Sequence, residues 1–259
     1  MTAVRSEEAT ARRAGCATAE FDLDDHWRER GRGREGWNSA PALTRELSAC
    51  FTATVGEALK QAGGVPDRVN TEFVAATWYG TSHVAEVMHE QLREAGPKWI
   101  DPEQFLYYSP HSMVSAAALA FGLGGASSTL MGPDAEFQAL AHAVRRIRCG
   151  YADTVIVAEY EALTPFAATA CPDGAGPPGR DGPPKGRVTA LVLTSAGGTG
   201  PGVTVRRGLG DAEVERLAER HGTTVQAAAP GLLRSLAGGT APVVVVSRTP
   251  RRCDAVVLA

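Results

Sequence analysis

No stretch of this 259-residue chain approaches the roughly 18 consecutive apolar residues that a membrane-spanning helix needs, so no membrane partner is expected. The first 30 residues are charged and hold no apolar signal core, which leads to the expectation of a cytoplasmic rather than a secreted protein. Cysteine is sparse and scattered. Cys16, Cys50, Cys149, Cys171 and Cys253 are odd in number and form no CxxC pair, which argues against a zinc site or a disulfide framework and fits reduced thiols. An excess of basic charge is missing too. The 26 Lys and Arg stand against 29 Asp and Glu, a formal net charge of −3, so no nucleic-acid partner is expected. What is present is ordinary for a globular protein, with 44% hydrophobic and 21% charged residues. The length suffices for one large domain or two small ones with a real core.

Along the chain, residues 1–38 are polar, with Arg-Gly alternation from Gly31 to Gly36, and a loosely ordered start is expected there. Leu43, Leu47, Phe51, Val55 and Leu59 recur at helical spacing, which predicts an amphipathic helix over Pro41 to Ala62 that ends at Gly63-Gly64. Glu72 to Trp78 reads as a buried strand closing at Gly80, and Val84, Val87, Met88 and Leu92 mark a second helix. A small-residue helix is expected over Ser109 to Ala120, and a short strand over Ser127 to Met131. Pro133, at a first-turn position, opens a long helix with Phe137, Leu140, Ala141, Val144 and Ile147 on its apolar face, ended by Gly150. Thr154 to Ala158 is continuously apolar, the mark of a strand covered on both faces. After a Pro/Gly-rich loop from Cys171 to Gly186 come a strand over Val188 to Leu193, a linker over Gly197 to Gly202 and a strand over Val203 to Arg206. A helix over Ala212 to Arg220 follows, then strands over Val243 to Val246 and Ala255 to Leu258 around a basic turn. Strand–helix alternation of this kind indicates a layered α/β fold.

The stretch Phe121 to Ala158, FGLGGASSTLMGPDAEFQALAHAVRRIRCGYADTVIVA, resembles the core of β-ketoacyl synthases. In that family a phrase of the form FGL-x-GPS-x-T leads through a buried strand to a nucleophilic Cys at the start of a long helix. Phe121, Gly122, Leu123, Gly125, Ser127 and Thr129 keep the pattern without a gap. The VTALVL strand and the terminal VVVVSRTPRRCDAVVLA continue the likeness, so that it covers roughly residues 40 to 259. The resemblance implies an α/β, thiolase-like layered α-β-α fold with a shortened C-terminal half. Its divisions would be a loosely ordered segment (1–38), an N-terminal ketosynthase-like half (39–196) and a truncated C-terminal half (197–259).

The departures bear on chemistry. A ketosynthase needs a thiolate at a helix N-terminus, where the dipole lowers the thiol pKa and backbone N–H groups hold the oxyanion. Here the nucleophile position falls on Asp134, a good helix-start residue and a poor acyl carrier. It is read either as a relic site or, more blandly, as a charge at a helix start. The family's second-half histidines find no counterpart. His221 reads as a C-terminal dipole partner, and Arg248, Arg251 and Arg252 occupy a turn where the family has small glycines. His83 and His89, with Glu86 and Glu90, are six apart and read as a solvated helix face rather than a metal site. Cys149 sits at a helix C-terminus and is no credible nucleophile. Ser127-Ser128 lacks the G-x-S-x-G elbow of a serine hydrolase.

The resemblance therefore implies a non-catalytic partner subunit, similar to the chain length factor of type II polyketide synthases and to the smaller proteins of polyene and aryl-polyene clusters. Such a subunit pairs with a catalytic ketosynthase in a heterodimer and works on substrates held by an acyl carrier protein. No cofactor and no metal are implied. Interface and acyl-tunnel residues would be Met113, Phe137, His111 and the strand Ser127, Ser128, Thr129, Leu130 and Met131. Arg145, Arg146 and Arg148 could meet an acidic carrier protein or be a solvated face. Two other readings stay open: a stand-alone acyl-thioester hydrolase or decarboxylase using Asp134 or His111, and a purely structural stabiliser of a ketosynthase.

Overall fold

A computed structural model describes residues 8–23, 39–65, 67–162, 164, 185–195, 200–227, 231–238, 242–249 and 252–258. The four-residue spacing of Leu43, Leu47, Phe51, Val55 and Leu59 places all five on the buried stripe of α1 (Ser39–Gln61). The chain leaves that helix through Gly63 and Gly64, both at positive φ. Next come β2 (Thr71–Thr77), α2 (Ser82–Ala95), the short α3 (Gln104–Tyr107) and α4 (Ser112–Phe121). Gly122 ends α4 in the left-handed conformation. β3 (Ser127–Met131) leads to α5 (Ala135–Arg148), β4 (Thr154–Glu161) and β5 (Lys185–Thr194). The second half runs through β6 (Gly202–Arg206), α6 (Asp211–Arg220), β7 (Val225–Ala227), α7 (Leu232–Gly238), β8 (Val243–Thr249) and β9 (Arg252–Leu258).

The start of the chain corrects an expectation. Glu8–Asp22 is not loose but a 15-residue strand, β1, which lies inside the sheet between β5 and β6. Its run of Ala and Thr carries little strand signal on its own. Pairing along both edges, and α1 packed across it, make it a strand. At Gly15 a Cβ would come within 2.1 Å of the Ala58 carbonyl oxygen, so helix and strand backbones meet without a side chain between them. Residues 1–7 and 24–38, with the Arg-Gly alternation, lie outside the described residues, as do most of the 171–186 loop and residues 250–251 of the basic turn.

Among the described residues nine strands form one sheet in the order β3-β2-β4-β5-β1-β6-β9-β8-β7. β2, β3 and β4 are mutually parallel, and β5 runs antiparallel to both β4 and β1. The second half repeats this order: β7 is parallel to β8, and β9 runs antiparallel to both β8 and β6. β6 answers β1, β7 answers β2, and β8 and β9 answer β4 and β5. Only β3 has no counterpart among the described residues.

Alternation along the strands builds layers. On one face of the first half, Phe73, Ala75, Ile156, Ala158 and Val192 pack on α1 and α4. On the other, Val74, Ala76, Val155, Val157, Leu191 and Leu193 pack on α5 and α7. The same cluster continues into Val203, Val205, Val245 and Val256 of the second half, so α5 and α7 form a central layer shared by both halves. α6 covers the outer face of the second half through Val214 and Leu217. This is the α/β, thiolase-like layered arrangement with a reduced second half.

Candidate functional site around the first turn of α5

α5 begins two residues after Pro133, with Asp134 as the residue that precedes its first turn. Nine of its fourteen residues are buried, including Phe137, Leu140, Ala141, Val144 and Ile147 of the apolar stripe. The Asp134 carboxylate does not cap its own helix. Its Oδ2 accepts a hydrogen bond from Ser247 Oγ on β8 at 2.9 Å. The position read as the lost nucleophile is thus a polar contact between the halves, not a simple helix-start charge.

Two residues on, Glu136 is 6% exposed and makes a second contact between the halves. Its Oε1 accepts the Gly231 N–H at 2.6 Å and its Oε2 accepts the Leu233 N–H at 2.7 Å, at the start of α7. Glu159 of β4 and Arg187 of β5 lie near it, and Glu161 of β4 shares those two neighbours; all are buried. Arg187 Nε donates to Glu159 Oε1. Glu161 accepts the N–H groups of Trp78 and Tyr79 at the end of β2. Burial, reinforced by the Glu159 carboxylate, pushes the Glu136 carboxyl up to about 8 against the two N–H donors that favour its charge. Burial likewise pushes Glu161 up to about 7.

These residues were not singled out from the sequence. The strand reading stopped at Ala158, where the apolar run breaks into Glu159-Tyr160-Glu161. The signal was in the pairing: β4 continues to Glu161, which lies opposite Arg187 in the register. Charged residues at matching positions of two neighbouring buried strands mark where buried charges meet, and Arg187 forms its ion pair with Glu159, two residues along the same face.

The expected interface strand is an edge. Ser127–Met131 pairs with β2 along one side, from Phe73↔Ser127 to Thr77↔Met131, and stands at the end of the sheet order. Ser128 and Leu130 are half-buried, with Leu130 against the central core, while Ser127 and Met131 are exposed. His111, the residue before α4, lies over the opposite face of this strand. Its Nδ1 is 3.0 Å from Thr129 Oγ1 and its Nε2 is 3.2 Å from Ser127 Oγ. Exposed apolar side chains gather on the same excursion of the chain: Phe105, Leu106, Tyr108, Leu119 and Met131.

Met113 and Phe137 are both fully buried but in separate cores. Met113 belongs to the α1/α4 layer and Phe137 to the central layer, on opposite faces of the sheet. The three arginines also separate. Arg146 is taken up by Glu72, donating from Nε at 2.8 Å and also from Nη2, and stacks 4.3 Å over the Tyr151 ring. Arg145 and Arg148, with Arg207, line a small hollow beside Ala9. His83 and Glu86 correct another expectation. They are buried rather than solvated, His83 Nε2 lying 2.8 Å from Thr44 Oγ1 and Glu86 Oε1 accepting from Thr164. The α1–α2 packing captures what the helix spacing left outside. His221 ends α6 at its C-terminus, as its place before Gly222 implied. Among the described residues no cluster of His, Cys, Asp and Glu could hold a metal, and no helix is long and apolar enough to cross a membrane.

A layered α/β sheet of two like halves around a shared helix, with the site residue at that helix's first turn, defines a ketosynthase-type chain. The chain belongs to the β-ketoacyl synthase family: the model of the family's N-terminal domain matches residues 41–183. No curated protein matches it. Among solved structures it is similar to the ishigamide ketosynthase/chain length factor, with 15% identity and a TM-score of 0.57 over 82% of this chain and 80% of that one. It is also similar to AntDE:AntF, a type II polyketide synthase acyl-carrier protein in complex with its ketosynthase, with 12% identity and a TM-score of 0.65 over 98% and 99%. A third is the ketosynthase ApeO in complex with its chain length factor ApeC from Xenorhabdus doucetiae, with 15% identity and a TM-score of 0.54 over 98% and 97%. At these identities the likeness is one of fold.

Proposed function

We propose that this chain is a non-catalytic, chain-length-factor-like subunit that pairs with a catalytic ketosynthase and helps to shape the tunnel holding the growing acyl chain. The observation that carries this reading is Asp134. At the first turn of the central helix, where the family's chemistry needs a thiolate, stands a carboxylate engaged with Ser247. A carboxylate so held is a poor carrier for an acyl group, and among the described residues its hydrogen-bond partner is a serine, not a histidine. The edge of β3, which pairs on one side only among the described residues, and the exposed apolar side chains of the same β2–α5 segment offer the partner a strand to extend and a surface to bury. The likeness to ketosynthase complexes supports the same partner, and an acyl carrier protein as the source of substrate, for which the exposed Arg145 and Arg148 are candidate contacts. A polyene product is part of this proposal, by resemblance to the smaller polyene-type proteins.

The test is co-expression with an intact ketosynthase from the same source, followed by co-purification and assay with malonyl-loaded carrier protein. A stable heterodimer that elongates only with both chains present is the expected result. Turnover of acyl- or malonyl-carrier protein by this chain alone would replace the proposal with the hydrolase or decarboxylase reading. Because Met113 and Phe137 lie on opposite faces of the sheet, Met113→Ala and Phe137→Ala, each confirmed as folded heterodimer, test the two cores separately: the variant on the tunnel side is expected to lengthen products, since cavity length in a close-packed interior is set by side-chain bulk. Unchanged product lengths with altered complex yield would leave a structural stabiliser.

A further inference from the structure

β3 is bonded to β2 through alternate residues. The Phe73 N–H donates to the Ala126 carbonyl at 3.0 Å and the Gly132 N–H to the Thr77 carbonyl at 3.1 Å, at the two ends of the parallel ladder. In such a ladder every second residue of a strand bonds to a given neighbour, so Ser127, Thr129 and Met131 direct their backbone N–H and C=O groups to the other side. Among the described residues that side is the end of the sheet. The side chains of the same three residues share one face of the strand.

His111 lies on that face, its Nδ1 3.0 Å from Thr129 Oγ1 and its Nε2 3.2 Å from Ser127 Oγ. It is fixed in place as the residue before α4: its N–H donates to Ser109 Oγ at 3.3 Å and its carbonyl accepts the Ser115 N–H at 3.0 Å. A neutral imidazole has one donor and one acceptor nitrogen, so one of the two hydroxyls accepts from the ring and the other donates to it. Thr129 is half-buried and Ser127 is exposed. With the ring proton on Nδ1 and given to Thr129, Nε2 accepts the Ser127 hydroxyl. The three residues are then a nucleophile, its base and a group that orients the base. The Ser127 N–H, on the open edge, is a donor for an oxyanion, a role that a nucleophile's own backbone N–H can fill. Beside them the Met131 methyl and the Pro110 ring both close on Gly80, where an added Cβ would stand 2.9 and 3.0 Å from them, and Met131 is 55% exposed. Those two groups offer an acyl chain an apolar surface.

We propose that Ser127 is a nucleophile, with His111 as its base, that accepts an acyl group from a thioester while the β3 edge is open. Ser127 Oγ attacks the thioester carbonyl, forming the Oγ–C bond, and the C–S bond breaks. The hydroxyl proton passes to His111 Nε2 and then to the departing thiolate, which leaves an ester on Ser127 and a free thiol. A strand added to the edge of β3 takes up the same Ser127 N–H, so the acylation belongs to the chain on its own. It does not rest on the chain's role beside a ketosynthase.

The experiment incubates the full chain alone with hexanoyl-coenzyme A and maps the acyl groups by mass spectrometry. Cys149 is exposed and can exchange with a thioester, so neutral hydroxylamine is used first to strip acyl groups from cysteine and leave those on hydroxyls. A hexanoyl ester on the peptide that holds Ser127 is the expected result. Ser127→Ala should abolish it, and His111→Gln should slow its formation by about 100- to 10,000-fold, the range of a positioned general base. Thr129→Val, which removes the hydroxyl that orients the ring, should slow it less. No ester on Ser127 of the unmodified chain would overturn the proposal without recourse to a variant. A rate in folded H111Q equal to that of the unmodified chain would overturn it as well. The readout is a covalent adduct on the isolated chain, so its failure is distinct from a failure to pair with a ketosynthase.

Discussion

In the first half, three helices and the edge strand β3 lie between β2 and α5; in the second, α7 is the next described element after β7. Both halves keep the same order of the remaining strands, and both place a helix from that position into the shared central layer. The material absent from the second half is the material that, in the first, faces outward. The β2–α5 excursion carries Phe105, Leu106, Tyr108, Leu119 and Met131, each more than half exposed. The first half also holds the aromatic core, in which Phe51 stacks on Phe73 and meets Tyr160 edge-on. The described core of the second half is aliphatic apart from Cys253, and α7 takes its polar anchorage from the first half. One half thus carries an outward apolar surface and an aromatic core of its own, while the other closes the central layer and leans on its neighbour.

That asymmetry can be broken by mutation, beginning with the largest effect. Phe51→Ala should destabilise the chain by about 3–5 kcal/mol and Leu217→Ala in α6 by about 2–5 kcal/mol, measured by urea unfolding. Because β1 and β6 are hydrogen-bonded and α5 packs on both halves, each variant should still show one transition. Two separable transitions would mean that the halves fold independently. Arg187→Met leaves Glu159 buried without its partner and should cost about 3–5 kcal/mol near neutral pH. That loss should shrink as the pH falls and the cluster takes up protons, and a deficit unchanged by pH would show that it does not. Gly15→Ala drives a methyl group against the Ala58 carbonyl and should cost about 1–3 kcal/mol through α1–β1 packing, while Gly63→Ala meets no neighbouring atom and acts only through its φ of 89°. The smallest effect belongs to Arg248→Ala. The Arg248–Asp211 pair joins β8 to α6 at 3.0 Å in an exposed setting, and its removal should change stability by less than about 1 kcal/mol.

Much of the fold was legible as pattern. The stripe of α1, the strand Ser127–Met131, the apolar face of α5 and the run Thr154 to Ala158 are all where periodicity put them, because each buries one face or both and so repeats with its own element's period. β1 and α7 were not legible. One is a strand of Ala and Thr, the other two turns of helix, and neither has local preference enough to declare itself. Pairing on both edges makes the first, and the buried leucines together with Glu136, Arg13 and the Arg234–Glu20 pair hold the second.

The candidate site divides in the same way. That Asp134 stands at the start of a long helix was legible from residue order alone, since helix starts are local features. Which groups meet there was decided by tertiary structure. Ser247 lies more than a hundred residues from Asp134, and Glu136, Glu159, Glu161 and Arg187 come from three elements. Burial pushes the Glu136 and Glu161 carboxyls well above the usual carboxylate range, because the cost of a buried charge depends on what folding places around it and not on its neighbours in the chain.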